Sequence, residues 1–507
     1  MSHSVKKSLL TLDSLLTAVN GSLLADCGVK DEEEGFAFSY VVTDSRYVTS
    51  GAMFVPLIGE NQNGHKYIPQ AIEGGASVVL VNKSDYEENN DFYKELAAAG
   101  KFAQATVILV ENTLYALQAA AKAYAQKVAS NMIRVSITGS SGKTTTKEML
   151  VSVCKKHFGE YAVAYTKGNF NSETGLPLSI FQIRGDEKIG IFEMGMNRKG
   201  EIGEISAVWQ SQYGIITNIG TAHIGLLGSR ENIAEEKRKS FDYIPSDGAA
   251  FVPDQDDFSD YCVEKVRGKV VKFGKDLSPS LTGVTFIEDL GVNGTSFILD
   301  GLQITLPFAG QYNYQNALGV IALAKEIGIT AEEIKAGLEG LSAISGRMDI
   351  KSIRLKNGNT VKAVCDFYNA NLDSMEKVID FCGKQHDFEQ KIFVLADMKE
   401  LGDTSASAHA QIGKAVAKTD ASLVILTGPE MKAACTVLSE EKEIAGREVV
   451  YFEKNDDAFY KAAASKILTF AKENALVLFK GSHSMALEKL LPLIEQSVSN
   501  NKSGGAD

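Results

Sequence analysis

Ile133-Arg134-Val135-Ser136-Ile137-Thr138-Gly139-Ser140-Ser141-Gly142-Lys143-Thr144-Thr145 decides the fold. Residues 133–137 have the apolar character of a strand, a Gly/Ser turn follows, and a helix begins at the lysine. In that helix Met149, Leu150, Val153 and Cys154 recur at helical spacing and share one face. Glycines let backbone N–H groups converge on phosphate oxygens, and a helix N-terminus adds partial positive charge. Gly139, Ser140, Ser141, Gly142, Lys143, Thr144 and Thr145 are therefore expected to cradle a nucleoside triphosphate. Lys143 would neutralise its β- and γ-phosphates, and the Thr144 hydroxyl would be a magnesium ligand. Ile137 occupies the place of the first glycine in the common GxxxxGK[ST] spacing, which leaves a shorter GxxGKTT form. The competing reading is a glycine-rich turn that only starts a helix. The loop by itself names a nucleotide and not a reaction.

Outward from this loop, 507 residues exceed one ordinary core, and about three domains are expected. The division expected is 1–130, 131–344 and 345–507. A composition of 44% hydrophobic and 23% charged residues is that of a soluble globular protein. The net charge of −12 offers no basic face for nucleic acid, so any cationic phosphate site must be local. Six scattered cysteines (27, 154, 262, 365, 382 and 435) form no CxxC pair, which fits a reducing cytoplasm. The leucine-rich stretch 8–24 reads as an amphipathic first helix rather than a signal, because Asp13 and Asn20 interrupt it. No apolar run reaches the length of a membrane span, so membrane insertion is not expected.

The first zone mixes strand-like runs at 36–42, 76–81 and 106–110 with helices, and the acidic stretch 85–101 reads as a surface insertion. Strands at 189–192 and 214–217 follow the loop. From about Gly346, strand-like runs at 362–365, 392–395, 423–426, 449–452 and 476–479 alternate with helix-length segments. That alternation implies a parallel, doubly wound sheet with ligands at its carboxyl ends. The polar tail 497–507 is expected to be disordered.

Three weak signals follow the loop in order. Glu193 ends the strand-like Ile191-Phe192-Glu193, where a carboxylate can reach metal-bound phosphate; alone it is an ordinary strand-end acid. His223 lies just past a strand in Asn218-Ile219-Gly220-Thr221-Ala222-His223, and a lone histidine is more often structural. Lys237, in Ile233-Ala234-Glu235-Glu236-Lys237, would by default be a solvated lysine. As an ordered set they resemble the ATP-binding domain of the Mur ligases, a family related to folylpolyglutamate synthase. The resemblance implies that Thr144 and Glu193 bind one Mg²⁺, and that His223 and a carbamoylated Lys237 hold a second. One departure is Lys239, where the family often has an acid. Gly310-Gln311-Tyr312-Asn313-Tyr314-Gln315-Asn316 is similar to the family's GxHNxxN, with Tyr312 for His, and implies Asn316 at the adenine edge. Gly346-Arg347-Met348 resembles its SGRM segment, which implies Arg347 at the ATP from the opposite side, where a planar guanidinium suits phosphate.

The remaining motifs resemble the branch of the family that adds a terminal dipeptide. Thr43-Asp44-Ser45-Arg46 resembles the UDP-binding region of both the third-residue-adding and the terminal-dipeptide-adding ligases. Lys167-Gly168-Asn169-Phe170-Asn171-Ser172 resembles GNxNN, with Ser172 for Asn. Asp366-Phe367-Tyr368-Asn369-Ala370-Asn371-Leu372 resembles DxYNANP, with Leu372 for Pro, and Ala396-Asp397-Met398-Lys399-Glu400-Leu401-Gly402 resembles GDMxELG. Lys480-Gly481-Ser482 ends the series, with His483 for a usual Arg. The resemblance implies a small α/β UDP-binding domain, a central P-loop domain with a parallel sheet, and a C-terminal Rossmann-like domain. It further implies a monomeric cytoplasmic ligase with ATP as co-substrate and two Mg²⁺. Asp366 would help hold the nucleotide. Thr43, Asp44, Ser45, Arg46, Asn169, Asn171, Ser172, Tyr368, Asn369 and Asn371 would hold UDP-MurNAc-tripeptide and D-Ala-D-Ala. Asn369 and Asn371 could also be turn formers. A third-residue-adding ligase and a non-catalytic nucleotide-binding relative are the alternatives.

Overall fold

The computed structural model describes residues 9–27, 36–274, 283–440 and 446–496. The expected disordered tail lies outside them.

Around the phosphate loop the chain forms a six-stranded, wholly parallel sheet. Its spatial order is Lys269–Phe273, Ala249–Pro253, Tyr213–Ile216, Ile133–Thr138, Ile189–Glu193, Val163–Tyr165. The loop strand is thus central, with neighbours that end in Glu193 on one side and lead to His223 on the other. Alternation along the strands sorts the side chains. Val135, Ile137, Ile189 and Ile191 face a core shared with the helices Lys143–Phe158 and Gln311–Glu326. Phe192 and Ile216 face the opposite core with Trp209. Gly190 is required there, because a Cβ at that position would stand 2.7 Å from the Trp209 ring. The indole packs edge-on against Phe192 and donates to the Val135 carbonyl at 3.1 Å. An antiparallel meander, Val284–Asp289, Thr295–Leu299 and Leu302–Leu306, closes the far side of the first core.

The N-terminal sheet has five strands in the order Ser22–Ala25, Thr106–Val110, Ala76–Asn82, Ala52–Phe54, Tyr40–Val42, parallel except for its first pair. Helix Thr113–Val128 leads from it to the central sheet, and its buried alanines join the core that holds Trp209. Three expectations change here. The first helix spans only Leu12–Val19, because Asn20 adopts a left-handed conformation that ends it. The 36–42 run is two strands broken at Ser39. Residues 85–101, expected as a surface insertion, lie mostly at the surface but as ordered structure. They form the helices Lys83–Glu88 and Asn90–Ala98, anchored by buried Tyr93, which donates to buried Asp85, while Asp85 also accepts from Asn89 at 3.1 Å.

The C-terminal sheet runs Asp349–Arg354, Thr360–Asp366, Leu476–Lys480, Lys391–Ala396, Leu423–Thr427, Glu448–Phe452. Five strands are parallel, as the βαβ alternation implied, and the inner ones are buried on both faces, while Glu448–Phe452 forms a partly exposed edge. The sixth, Asp349–Arg354, is an antiparallel edge strand. Asp366 and Lys480 therefore stand side by side at the carboxyl ends of adjacent strands. Polar contacts hold this sheet against the central one. Asp373 accepts from the Thr221 N–H at 2.6 Å and its hydroxyl at 2.7 Å, and the Asn371 amide donates to Ser141 Oγ at 3.2 Å. The Gly225 N–H donates to the Glu400 carbonyl at 3.1 Å.

Candidate active site

Gly139 (φ +150°) and Gly142 (φ +82°) give the loop after Thr138 its shape. Both are also crowded: a Cβ on Gly139 would meet Thr217 Oγ1 at 1.8 Å, and one on Gly142 would meet the Asn316 amide at 2.8 Å. Asn218 clamps the loop from the neighbouring strand. Its side-chain oxygen accepts from the Ser141 N–H at 3.1 Å, its amide donates to the Ser141 carbonyl at 2.9 Å, and its carbonyl accepts from the Ser140 N–H at 3.0 Å. Thr217 Oγ1 donates to the Ser141 carbonyl at 2.5 Å.

Two lysines aim at one carbonyl. Lys143 Nζ donates to the Gly139 oxygen at 2.9 Å from within the loop, and Lys237 Nζ donates to the same oxygen at 3.0 Å from behind it. Lys237 is 1% exposed, so it is not the solvated lysine of the default reading. Burial, then repulsion from Lys143, holds its ammonium well below the ordinary lysine range. Lys143 is lowered too, chiefly by loss of water around it and further by Arg347, with Glu193 acting in the opposite sense.

Buried Glu193 sits on the rim of the loop. It accepts from Thr144 Oγ1 at 2.8 Å and from the Asn171 amide at 2.7 Å, while its own N–H is held by Thr166 Oγ1 at 2.9 Å. Thr144 and Glu193 thus present hard oxygen donors side by side, and among the described residues the Glu193 carboxylate has no direct cationic partner. Among the described residues no group of three or more His, Cys, Asp and Glu side chains gathers into a metal cluster. A cation here would take only part of its shell from protein, which suits Mg²⁺, an ion that keeps water and phosphate oxygens. The donors present fit it. His223 has a left-handed backbone (φ +64°), as does Glu400 (φ +63°) opposite it. Their side chains approach to 2.7 Å between Nδ1 and Oε2, an ion-pair distance, although the angle is poor for a ring N–H hydrogen bond and Nδ1 has no other partner. Contact with His223 holds the Glu400 carboxyl below its usual range. Strained non-glycine backbone at paired positions of this kind is a mark of functional sites.

These groups line one cavity of about 340 Å³. Ser140, Ser141, Gly142, Lys143, Thr144 and Thr145 form one wall, with Glu193, Asn169, Asn171 and Ser172 beside them and His223 and Asn316 at the ends. The facing wall comes from the C-terminal sheet: Arg347, Asp366, Tyr368, Asn369, Asn371 and Lys480. The Arg347 guanidinium stacks 3.9 Å over the Tyr368 ring. Asp366 pairs with buried Lys480 at 2.9 Å and accepts from the Met348 N–H at 3.1 Å. Lys480 also donates to the Asn369 carbonyl at 2.5 Å. Tyr312 fills the place expected of a histidine. Burial, then the nearby Asp366 carboxylate, keeps its phenol protonated far above the ordinary tyrosine range, so it presents a neutral ring and hydroxyl to the cavity.

Not every expected residue meets there. Gly139 within the loop and Lys237 behind it line no part of the cavity, and neither do Thr43, Asp44, Ser45 and Arg46. Asp44 instead accepts from the Arg46 N–H at 3.0 Å and pairs with its exposed guanidinium at 2.6 Å. Ser45 Oγ donates to Gln70 at 2.8 Å. Asn371 is both a cavity residue and a cap, accepting from the Ser374 N–H at 2.9 Å to start helix Leu372–Gly383. Asn369 accepts from the Ala370 N–H at 2.8 Å, as a turn former does. A smaller hollow of about 300 Å³ adjoins the cavity, sharing His223, Glu400, Asn369 and Asn371 and adding Lys399, Ser482 and His483. Asn218, Glu400 and Lys480 were not singled out in the sequence as site residues. Each lies inside a quoted motif, but only tertiary contacts give it a partner.

Three family models match successive stretches of the chain: "Mur ligase family, catalytic domain" over residues 38–125, "Mur ligase middle domain" over 137–324, and "Mur ligase, glutamate ligase domain" over 346–483. The chain is 36% identical over 491 residues to the UDP-N-acetylmuramoyl-tripeptide–D-alanyl-D-alanine ligase of Treponema pallidum, covering 96% of this chain and 99% of that one. It is 34% identical to the protein of the same name from Bacillus subtilis, covering 90% and 94%. A crystal structure of MurF from Acinetobacter baumannii superposes with a TM-score of 0.79 at 28% identity, over 95% of this chain and 98% of that one.

Proposed function

The chain belongs to the Mur ligase family, and from that premise we propose that it uses ATP to join the terminal carboxylate of UDP-MurNAc-tripeptide to the amine of D-Ala-D-Ala. One observation carries the reading: a phosphate loop with Thr144 bonded to Glu193 faces Arg347 and Asp366 of another sheet across a single cavity. A nucleotide-binding module alone needs no second wall. A ligase does, because two anions must meet away from water. The identity of the substrates rests on the long relatives of that name.

A carboxylate is a poor electrophile at neutral pH, so it is first phosphorylated. The tripeptide carboxylate attacks the γ-phosphorus, ADP leaves, and an acyl phosphate forms. The dipeptide amine then adds to its carbonyl, and phosphate departs as the amide forms. Lys143 lies where it can leave the Gly139 carbonyl for the β- and γ-phosphate oxygens. Arg347, held flat by Tyr368, reaches the nucleotide from the opposite wall, and Asn316 closes over Gly142 at the base side. Thr144 and Glu193 would hold one Mg²⁺, which when bound offsets repulsion between triphosphate and carboxylate. Burial disfavours the Lys237 ammonium, the form that cannot add CO₂, and a carbamate formed there with loss of a proton would, with His223, hold a second ion. Asn169, Asn171 and Ser172, on the cavity wall beside Glu193, would receive the acceptor carboxylate, and the adjoining hollow with Lys399 would take the dipeptide. Asp373 and Asn371 keep the two walls together, which excludes water from an acyl phosphate that would otherwise hydrolyse. Thr43, Asp44, Ser45 and Arg46 are left to the UDP end of the substrate, away from the chemistry.

Among the described residues no helix is long and apolar enough to cross a membrane, and all six cysteines are free. The test is phosphate release from ATP and Mg²⁺ with UDP-MurNAc-tripeptide, with and without D-Ala-D-Ala. Release that needs both, with a pentapeptide product by mass spectrometry, is expected. Turnover only with the muramyl dipeptide and a free diamino acid would move the chain to the third-residue branch. Bound ATP with no turnover on either would make it a binding protein.

A further inference from the structure

Glu201 opens the helix Glu201–Trp209 and is 1% exposed, yet it lines no part of the cavity. Its carboxylate spans two loops that do. Oε1 accepts from the Glu173 N–H at 3.0 Å, and Oε2 accepts from the Asn197 N–H at 2.6 Å and more weakly from the Arg198 N–H at 3.4 Å. The first loop carries Asn169, Asn171 and Ser172, and the second carries Gly195, Met196 and Asn197, all on the cavity wall. The loops also meet directly, since the Gly195 N–H donates to the Asn171 carbonyl at 2.8 Å and a Cβ on Gly195 would press on the Asn171 side chain at 3.0 Å. Asn171 in turn holds Glu193. One residue further on, the Ile202 N–H donates to Glu236 Oε1 at 2.9 Å, and Glu236 immediately precedes Lys237. A single helical turn therefore ties together the segment that holds Glu193, the adjacent wall and the helix of Lys237.

We propose that Glu201 is a positioning residue for the acceptor carboxylate: its two oxygens set the loops 167–174 and 195–200 at the separation that this substrate needs. The inference rests on the ligase reading above for the identity of that substrate. A carboxylate suits the task because it offers acceptors on both sides. An amide of the same size offers one, and its NH₂ would oppose a backbone N–H. On the outer side Arg198 also bridges Glu173 and Glu204, but its side chain is 42% exposed, and such surface pairing is weak.

The test combines steady-state kinetics with amide hydrogen exchange on the wild type, Glu201→Gln and Glu201→Ala. In both variants the KM for UDP-MurNAc-tripeptide should rise about tenfold while the KM for ATP stays within about twofold, the signature of a misplaced substrate rather than a lost fold. Exchange should quicken in 167–175 and 195–200 and nowhere else. Unchanged KM values, with kcat falling only as the folded fraction falls, would overturn the proposal. So would quickening spread evenly over the central sheet. In the wild type the Glu173 and Asn197 amides should be protected; exchange at the free-peptide rate overturns the proposal even if neither variant folds. If the wild type does not turn over UDP-MurNAc-tripeptide, the ligase reading fails separately, and the exchange pattern alone decides the role of Glu201.

Discussion

Replacing Lys143 with Met is expected to lower turnover by about a thousandfold, the upper range for removing one preorganised charge from a reacting centre. Its ammonium is the cation built into the phosphate loop itself, and without a nucleotide it rests on the Gly139 carbonyl. Burial already disfavours its charge, which Glu193 only partly offsets. A bound triphosphate supplies the missing counter-charge, so the lysine binds most strongly as negative charge builds on the transferring group. The same reasoning gives the variant a melting temperature no lower than that of the wild type without ATP, because a desolvated, half-buried cation has been removed. Single-turnover phosphate release and thermal unfolding of the free protein check both parts. Loss of activity together with a collapse in stability would mean that Lys143 is a structural lysine.

Lys237→Met should cost about a hundredfold in turnover, in the range seen when a metal-site partner is lost, and the wild type should lose activity reversibly when CO₂ is stripped from the buffer. Both follow from burial, which disfavours the ammonium and so eases addition of CO₂ to the amine. The stability effect has a defined sign. The folded pKa lies well below the unfolded value near 10.5, so as pH falls from 10.5 the unfolded chain takes up a proton that the folded one resists. Wild-type stability therefore falls with pH across that window. In CO₂-free buffer the Met variant should be the more heat-stable protein, by a margin that widens from pH 10 towards pH 7. Insensitivity of the wild type to CO₂, with no carbamate carbonyl signal after ¹³CO₂ labelling, would remove the carbamate from the account.

How much of this was legible in the sequence follows from how local each feature is. The phosphate loop was readable because strand, glycines, Lys143 and Thr144 are contiguous, and its helix declares itself through Met149, Leu150 and Val153. The C-terminal strands were readable because sheets buried on both faces demand unbroken apolar runs. The edge strand Asp349–Arg354 and the strand Val284–Asp289 escaped notice, since their mixed, partly exposed residues give no such run. The order within 85–101 was hidden because Asp85 and Tyr93 are polar by composition and buried by their hydrogen bonds to each other. The same holds within the site. Lys237 was singled out by resemblance, but its place behind the loop, sharing the Gly139 oxygen with Lys143, is a tertiary fact. Glu400 lies far along the chain from His223, and Glu201 acts on backbone N–H groups that no side-chain pattern reveals.

The most direct test of the account follows the oxygen atoms. UDP-MurNAc-tripeptide labelled with ¹⁸O in its terminal carboxylate is turned over with ATP, Mg²⁺ and D-Ala-D-Ala, and the released phosphate is weighed by mass spectrometry. The expected result is one ¹⁸O in each phosphate and one retained in the new amide carbonyl, because the carboxylate oxygen leaves on the γ-phosphorus. Unlabelled phosphate, with or without a pentapeptide product, would contradict it, since ATP would then be cleaved without passing through the acyl phosphate that this cavity is proposed to make and protect.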